Sequence, residues 1–173
     1  MKEKTNYPSV DKTHLQGISN FKLHPFIPNM SVYNSIKLMN IPYMNNIAID
    51  CLDLSLNYKE LIKNSNVIAK SLIELGVKPG QIITVCMPNY AQAVEIFLAA
   101  NKIGVTVSFI NSFAKKEETI KYLNYFESPI FVNYNKDEDY NREIKGKTKV
   151  RNIITLDKND LNRKDFNKIN GNL

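Results

Sequence analysis

The fold is decided by SLIELGVKPGQIITVCMPNYAQAVEIFLAANKIGV, residues 71–105. The stretch begins with the end of a helix: Gly76 supplies the left-handed position that follows a last turn, and Pro79 prevents continuation. Residues 82–87 then form a β-branched run without polar alternation. Such a run predicts a strand covered on both faces, as in a parallel sheet.

The next helix is predicted to open at Pro88 or Asn89 and to end at Gly104. Val105 to Ile110 follows as a second buried strand. The predicted buried side of this helix comprises Tyr90, Ala93, Val94, Phe97, Leu98 and Ile103.

The helix that ends at Gly76 has an equally clear start. Asn57 and Glu60 have the spacing of a capping box, in which a side-chain oxygen at each end accepts from an otherwise unpaired amide of the first turn. One buried stripe is predicted from helical spacing, consisting of Leu61, Ile68, Leu72 and Leu75.

Later residues repeat the alternation of helix and strand. KKEETIKYLNYF, residues 115–126, predicts a helix that buries Ile120 and Leu123, with Tyr122 and Phe126 as further candidates. Residues 129–132 and 151–156 are the third and fourth predicted strands. The predicted fold class is therefore α/β, with a mostly parallel sheet and helices on both faces.

The chain divides into three predicted segments. Residues 1–29 are polar and rich in proline, which predicts an irregular leader draped on the surface. Residues 30–156 form the α/β domain, which opens with a short amphipathic helix at 30–39 and a β-hairpin. The hairpin strands are predicted at Ile47–Asp50 and Leu54–Leu56, and residues 157–173 are expected to be a weakly ordered polar tail.

Composition indicates one compact domain, because 173 residues that are 43% hydrophobic can enclose a single core. No apolar run approaches the length of about 20 residues that a membrane span needs, so a soluble, cytoplasmic protein is expected. Cys51 and Cys86 lie in apolar, strand-like surroundings and are predicted to be buried thiols. His14 and His24 lie in the leader, where we expect exposed loop residues and not a catalytic pair.

The formal charge of +6 raises the question of nucleic-acid binding. The cations concentrate after residue 141, in REIKGKTKVR and NRKDFNK, where acidic residues and asparagines are interleaved with them. Mixed signs in a polar segment favour a solvated surface over a nucleic-acid patch.

A strand-to-helix turn such as Met87-Pro88-Asn89-Tyr90 can hold a nucleotide phosphate when glycines let several amides converge. This turn has no glycine, and Pro88 lacks an N–H donor, so a phosphate cradle is not expected. Asp50 and Asp53 could be proposed as a carboxylate pair, but a turn explains both. No catalytic, cofactor-binding or metal-ligating residue is therefore assigned.

Four short features follow one another in a fixed order. They are Asn57-Tyr58-Lys59-Glu60-Leu61, then Leu75 to Ile82, then Pro88-Asn89 with Phe97-Leu98-Ala99, then Asn111 with Glu117, Glu118 and Leu123. They resemble the "TY-x-EL", "LGV-x-PGD-x-V", "PN…FLA" and "N…EE…L" features that open adenylate-forming (AMP-binding) synthetases, with Gln81 in the Asp position. MSVYNSI, from Met30, resembles the short leading helix of these enzymes. The resemblance covers about residues 30–156.

The resemblance implies that full-length relatives activate a carboxylic acid with Mg-ATP, and that most transfer the acyl group to a thiol. ATP, Mg and coenzyme A are implied for such a relative, none for this chain, and fatty acid metabolism is the expected setting. The family's Ser/Thr/Gly-rich phosphate loop, acid pocket, Thr-Gly-Asp motif and C-terminal-domain Lys find no match in these 173 residues. No functional residue is therefore carried over.

We expect an N-terminal segment of an acyl-CoA synthetase-like ligase, truncated or split, that is inactive alone. Its expected partner is the missing remainder of the enzyme or another protein. The alternative is a noncatalytic α/β module that docks to a protein through its apolar surface. Nucleic-acid binding by the basic end ranks third.

Overall fold

The computed structural model describes residues 29–51, 54–134 and 137–156. The predictions for the leader up to residue 28, including His14 and His24, and for the tail from residue 157 lie outside the described residues. The elements in chain order are α1 (Val32–Met39), a 3-10 turn (Ile41–Tyr43), β1 (Ile47–Cys51), β2 (Leu54–Asn57), α2 (Tyr58–Glu74), β3 (Ile82–Cys86), α3 (Ala91–Lys102), β4 (Thr106–Phe109), α4 (Lys116–Tyr125), β5 (Ile130–Asn133), α5 (Glu138–Lys147) and β6 (Asn152–Thr155).

Four strands form one parallel sheet in the order β4-β3-β5-β6. Thr84 in the central strand β3 lies opposite Ser108 of β4 on one side and Phe131 of β5 on the other. Each pair of consecutive strands is joined through a helix, as parallel strands require. β1 and β2 form a separate antiparallel hairpin. The predicted parallel sheet and hairpin are confirmed.

Helices cover both faces of the sheet because neighbouring side chains on a strand point in opposite directions. On one face, Ile83, Val85, Ile130 and Val132 pack with apolar residues of α2 and α3, among them Leu72, Ile96 and Ala100. On the other face, Phe131 packs with Leu123 of α4 and Ile144 of α5. Each fully buried Leu, Ile or Phe contributes about 1.5–3 kcal/mol, so these two cores dominate the stability.

A further layer lies outside α2 and α3. Tyr33 of α1 is buried there in one cluster with Leu61 and Leu98, against which the hairpin residue Ile49 also packs. The Tyr33 hydroxyl donates to Asn66 Oδ1 at 2.7 Å, and its backbone N–H donates to Asn101 Oδ1 at 2.9 Å. Both hydrogen bonds fix the position of α1 on the two helices.

The ends of α2 are formed as predicted. Glu60 N–H donates to Asn57 Oδ1 at 2.8 Å, and Asn57 N–H donates to Glu60 Oε2 at 3.1 Å, which completes the capping box. At the other end, Gly76 has φ +76°, and Val77 N–H donates to Leu72 O at 3.1 Å. These two features make a Schellman motif, which satisfies a carbonyl that the helix leaves unpaired.

The predicted start of α3 at Pro88 or Asn89 is wrong, since the helix begins at Ala91. Tyr90 has extended dihedral angles, and its N–H donates to Pro88 O at 2.7 Å, so a tight turn occupies these positions. The set of α3 residues predicted to be buried is also wrong in part, because Val94 belongs to it and is exposed. Because α3 lies between the sheet and the outer layer, most of its circumference is enclosed, including Gln92 and Glu95.

The prediction of a buried second strand is wrong for β4. Val105 and Ile110, which flank the strand, are buried, whereas Thr106 and Phe109 are exposed. β4 has only β3 as a neighbour in the described sheet, so one side of the strand is uncovered. In the following helix Leu123 is buried as predicted, but Tyr122 is exposed.

Helix α5 comes where the sequence pattern predicts only a charged, polar surface. Its single fully buried apolar side chain is Ile144, too weak a signal for helical periodicity. Asp137 caps its start, since Asp137 Oδ1 accepts from the N–H groups of Asp139 at 3.0 Å and Tyr140 at 3.2 Å. Polar contacts then fix the helix: the Tyr140 hydroxyl bonds to Thr119 Oγ1 at 3.2 Å, and Glu143 pairs with two lysines.

Candidate functional site

The strand order defines one position where a ligand site is expected. From β3 the chain crosses to β4 on one side, and it then returns past β3 to β5 on the other side. Loops that leave neighbouring parallel strands in opposite directions open a crevice at the carboxyl ends of those strands. Here the crevice lies between the turn after β3, residues 87–90, and the residues that follow β5, beginning with Tyr134.

Aromatic rings occupy this position. The rings of Tyr90 and Tyr134 meet edge to face with their centroids 5.4 Å apart. Tyr134 N–H also donates to Cys86 O at 3.2 Å, which holds the residue against the end of β3. Burial, with a smaller contribution from the neighbouring Tyr90, raises the pKa of Tyr134. The phenol therefore stays neutral at physiological pH and offers a hydrogen bond but no reactive anion.

The turn after β3 does not fit a nucleotide phosphate. Met87 is buried, Pro88 has no N–H, and the Tyr90 amide is already bonded to Pro88 O. Tyr90, at the N-cap of α3, contributes no side-chain capping bond. A phosphate site needs several free amides converging at a helix start, and the contacts of this turn leave few amides for that purpose. No chemical step is therefore assigned to it.

A chain of side-chain amides crosses the carboxyl ends of β5 and β6. Asn133 Nδ2 donates to Asn141 Oδ1 at 2.7 Å, and Asn141 Nδ2 donates to Thr155 Oγ1 at 3.3 Å. Asn133 is almost completely buried, so these bonds satisfy polar groups that burial would otherwise penalise. The network joins two strands to α5 and has a structural role.

The loop after β4 presents the most exposed apolar side chain among the described residues. Asn111 Oδ1 accepts from Phe113 N–H at 2.9 Å, which forms an Asx turn in this loop. Phe113 is 90% exposed, and Phe109 nearby is also exposed. The carboxyl edge thus carries apolar surface that is suited to a contact with another polypeptide.

Glu95 is the described carboxyl group whose pKa departs most from its ordinary value. It is 2% exposed between α3 and α2, and its Oε1 accepts from Asn64 Nδ2 at 2.7 Å. Burial raises its pKa to about 7, against which the Asn64 hydrogen bond acts weakly. A general base near neutral pH has such a pKa, but a carboxyl enclosed between helices does not reach a substrate. We therefore interpret Glu95 as a structural group.

Sequence reasoning missed Glu95, although a signal was present. The helix AQAVEIFLAANK carries one acidic residue in a segment that is apolar on nearly every side. A helix that is apolar all round is buried, so its lone carboxyl group must be buried with it.

The other candidates from the sequence do not converge on a site. Asp50 is exposed on the hairpin, opposite Ser55, and Asp53 lies outside the described residues. Cys86 is buried as predicted, and burial raises the pKa of its thiol, but Cys51 is only half-buried because β1 lies in the outer layer. Among residues 29–51, 54–134 and 137–156, no three His, Cys, Asp or Glu side chains lie close enough together to hold a metal ion.

The basic segment around α5 carries local ion pairs. Arg142 pairs with Asp139, Lys147 with Glu143, and Lys149 with Glu127. These three cations therefore each have an acidic partner on the surface. Within the described part of the chain, none of the helices has the length and apolar character needed to cross a membrane.

A comparison with protein families decides the assignment. The family model described as "AMP-binding enzyme" matches residues 42–172, most of the chain. The chain belongs to the AMP-binding enzyme family. The match includes the hairpin, the parallel sheet and all helices after α1, so the resemblance that rests on residues 57–123 is confirmed for the family.

Individual relatives of this AMP-binding chain are large, multi-part proteins. Malformin synthetase mlfA from Aspergillus niger is 23% identical over 138 residues, which are 78% of this chain and 3% of that protein. The anthranilate CoA ligase AuaEII, solved with anthranoyl-AMP, matches with a TM-score of 0.69 at 20% identity, over 75% of this chain and 26% of that one. A fatty acyl CoA synthetase from Mycobacterium tuberculosis matches with a TM-score of 0.55 at 21% identity, over 60% of this chain and 22% of that one. At these identities the two solved structures show a shared fold, and this chain spans about a quarter of each of the two.

Proposed function

We propose that this chain is the N-terminal scaffold of an AMP-forming acid–thiol ligase and does not catalyse the reaction by itself. One observation carries the proposal: the turn after β3, where this fold would place a ligand, is filled by Tyr90 and Tyr134 and does not fit a phosphate. Membership of the AMP-binding family and the small share of each relative that the chain spans support the same proposal.

In the complete enzyme the reaction has two steps. A carboxylate oxygen of the acid attacks the α-phosphorus of ATP, and pyrophosphate leaves as the acyl-adenylate forms. The sulfur of a thiol, coenzyme A in this proposal, then attacks the acyl carbonyl, and AMP leaves. The role of the present chain is to supply the parallel sheet against which the residues that bind ATP, Mg and acid are assembled. Its partner in this role is the remainder of the enzyme.

The test is exchange of labelled pyrophosphate into ATP, which reports the first step alone. We expect no acid-dependent exchange from the purified chain with fatty, aromatic or amino acids, whereas a full-length CoA ligase assayed in parallel shows exchange. Measurable acid-dependent exchange by this chain would overturn the proposal. The coding sequence downstream of Leu173 offers a second test: without a Ser/Thr/Gly-rich loop followed by Pro and Lys, in any frame or neighbouring gene, a working ligase is ruled out.

The acid and the cellular setting are narrower parts of the proposal. We propose a fatty acid as the substrate, which the similarity to the fatty acyl CoA synthetase from Mycobacterium tuberculosis supports, and the cytoplasm as the setting. The chain co-expressed with its downstream reading frame should then exchange pyrophosphate faster with a long-chain fatty acid than with benzoate or an amino acid. A preference for amino acids would instead favour the peptide synthetase relatives.

A noncatalytic interaction module is the second candidate. The observation that favours it is the exposure of Phe113 and Phe109 at the carboxyl edge of the sheet. An exposed apolar pair of this kind favours association. Binding of an apolar dye that Phe113→Ser reduces, together with absence of pyrophosphate exchange in the co-expressed system, would favour this module over the ligase scaffold. A monomer with little dye-accessible apolar surface would count against it.

A further inference from the structure

β4 leaves one edge of the parallel sheet open. In the part of the chain that the structure describes, β3 is the only strand that pairs with β4. The N–H groups of Thr106 and Ile110 donate to carbonyls of β3 and its preceding residue at 3.0 and 2.9 Å. Because alternate residues of a strand bond to the same side, Val107 and Phe109 direct their N–H and C=O groups to the open side.

The open edge lacks the residues that keep edge strands apart. Residues 103–114, IGVTVSFINSFA, contain no charged side chain and no proline. Edge strands usually carry such residues, because an unguarded row of N–H and C=O groups pairs with another chain. The strand at the opposite edge, β6, directly follows Lys149 and Arg151, which are charged residues of this kind. β4 is therefore the edge suited to the addition of a further strand.

The groups on this edge are self-complementary. When two copies of β4 lie antiparallel about a two-fold axis at Ser108, Val107 of each copy lies opposite Phe109 of the other. The outward groups of these residues then form two hydrogen bonds in each of the two pairs, about four in all. Val107 and Phe109 share one face of the sheet, so the half-exposed Phe109 ring of each copy packs against a β-branched side chain. The paired segment is uncharged, and the register therefore brings no like charges together.

We propose that two copies of this chain join through β4, antiparallel and centred on Ser108, so that their sheets form one continuous sheet. The occupant of the edge is a second copy because one uncharged strand supplies both halves of the contact, with Phe109 facing Val107 in both directions. The contact lies at the edge of the sheet, away from the crevice between β3 and β5, and does not depend on the proposed ligase function.

Sedimentation velocity of the full chain tests the pairing. Between about 1 and about 100 µM the unaltered protein should shift from monomer to dimer, since association follows mass action. Phe109→Lys puts a charge on the paired edge and should weaken the dimer by about 10-fold or more, because two-fold symmetry applies the change twice. Phe113→Lys is the matched control: it adds the same charge at a more exposed phenylalanine outside the paired strand, and the dimer should be unchanged.

A cysteine substitution tests the register itself. The two copies of Ser108 meet at the axis as a non-hydrogen-bonded pair with Cα atoms about 4.5 Å apart, within the range of a disulfide. The two copies of Thr106 lie about 13 Å apart along the strands. Under mild oxidation Ser108→Cys should therefore form a covalent dimer about 10-fold faster than Thr106→Cys, or more. The unaltered chain, which keeps Cys51 and Cys86, gives the background.

Any of three results overturns the pairing. The first is a monomer at every concentration of the unaltered chain. The second is a dimer that Phe109→Lys leaves intact or that Phe113→Lys weakens equally, which would make the loop surface the contact. The third is cross-linking of Ser108→Cys no faster than that of Thr106→Cys, and this result decides alone if Phe109→Lys fails to fold by circular dichroism. All these readouts are independent of pyrophosphate exchange, so the pairing and the proposed function stand or fall separately.

Discussion

Replacing Glu95 by Gln should make the protein more stable at alkaline pH and leave its stability unchanged in acid. In the folded chain burial raises the pKa of Glu95 from its ordinary 4.5 to about 7. A tenfold change in an equilibrium is about 1.4 kcal/mol, so keeping this carboxylate ionised costs the folded state about 3 kcal/mol. Between these two pKa values the folded state binds more protons than the unfolded state, and stability falls as pH rises.

The glutamine side chain has the shape of the carboxyl group and no charge, and its Oε1 can still accept from Asn64 Nδ2, as Glu95 does at 2.7 Å. At pH 4.5 the two proteins should therefore unfold at the same urea concentration. Above pH 8 the Glu95→Gln variant should be more stable by about 3 kcal/mol, and half of this difference should be reached at about pH 6, midway between the two pKa values.

The measurement is urea unfolding followed by far-UV circular dichroism at pH 4.5, 6, 7 and 8.5. The free energy of unfolding should fall with urea concentration at the same slope for both proteins. Glu74→Gln is the matched control, because Glu74 is exposed on the same pair of helices and forms only a surface pair with Lys70. Its difference from the parent should stay small and vary little with pH. A Glu95→Gln difference that is constant across pH, or that favours Glu95 above pH 8, would refute the reasoning.

Substitutions at three further positions test the described contacts. Asn57→Ala removes one half of the α2 capping box and should destabilise the protein by about 1 kcal/mol in urea unfolding, whereas Asn57→Ser should cost less. Glu127 follows α4 with φ +48°, a left-handed conformation that glycine adopts more easily than other residues. Glu127→Gly should therefore raise the thermal midpoint by about 3 °C, although it also removes the exposed ion pair with Lys149. Glu127→Ala should not raise the midpoint. Leu123→Ala opens a cavity under α4 and should cost about 3 kcal/mol, against about 1 kcal/mol for Leu123→Met; equal losses would contradict the packing described for this core.

The elements that local signals specify were predictable from the sequence. β3 is a β-branched run bounded by Gly80 and Pro88, and its burial follows from the absence of polar alternation. The capping box at Asn57 and the glycine end of α2 depend on residues within one turn of each other. Such features need no knowledge of the tertiary fold.

Three of the misses, the edge position of β4, helix α5 and the enclosure of Glu95, depend on contacts distant in sequence. Whether β4 is central or at the edge is decided by the strand order, and the spacing of its own apolar residues does not report this. Helix α5 is held by a hydrogen bond to Thr119 and by the pairing of Glu143 with Lys116, 27 positions away along the chain. The enclosure of Glu95 likewise depends on α2 packing over α3. The apolar pattern of α3 indicates this burial only indirectly.

The sequence reports less about the candidate site. The composition of the turn after β3 argued against a phosphate cradle, and the geometry explains why the position is filled: the rings of Tyr90 and Tyr134 meet there. Tyr134 is 44 positions from Tyr90, so only the pairing of β3 with β5 brings the two rings together. No pattern within the turn itself reports that contact.

Helix α5 is fastened to the sheet by different forces from those that hold α2 and α3, which has a consequence for how the protein opens. α2 and α3 are held by a large apolar core, whereas α5 buries one apolar side chain fully and otherwise depends on hydroxyl and ion-pair contacts. Local opening takes the least free energy where little apolar area is exposed. We therefore expect the amides of α5 to exchange with deuterium sooner than those of α2. Added salt should hasten exchange in α5, because it weakens the contacts of Glu143, and should leave α2 nearly unchanged.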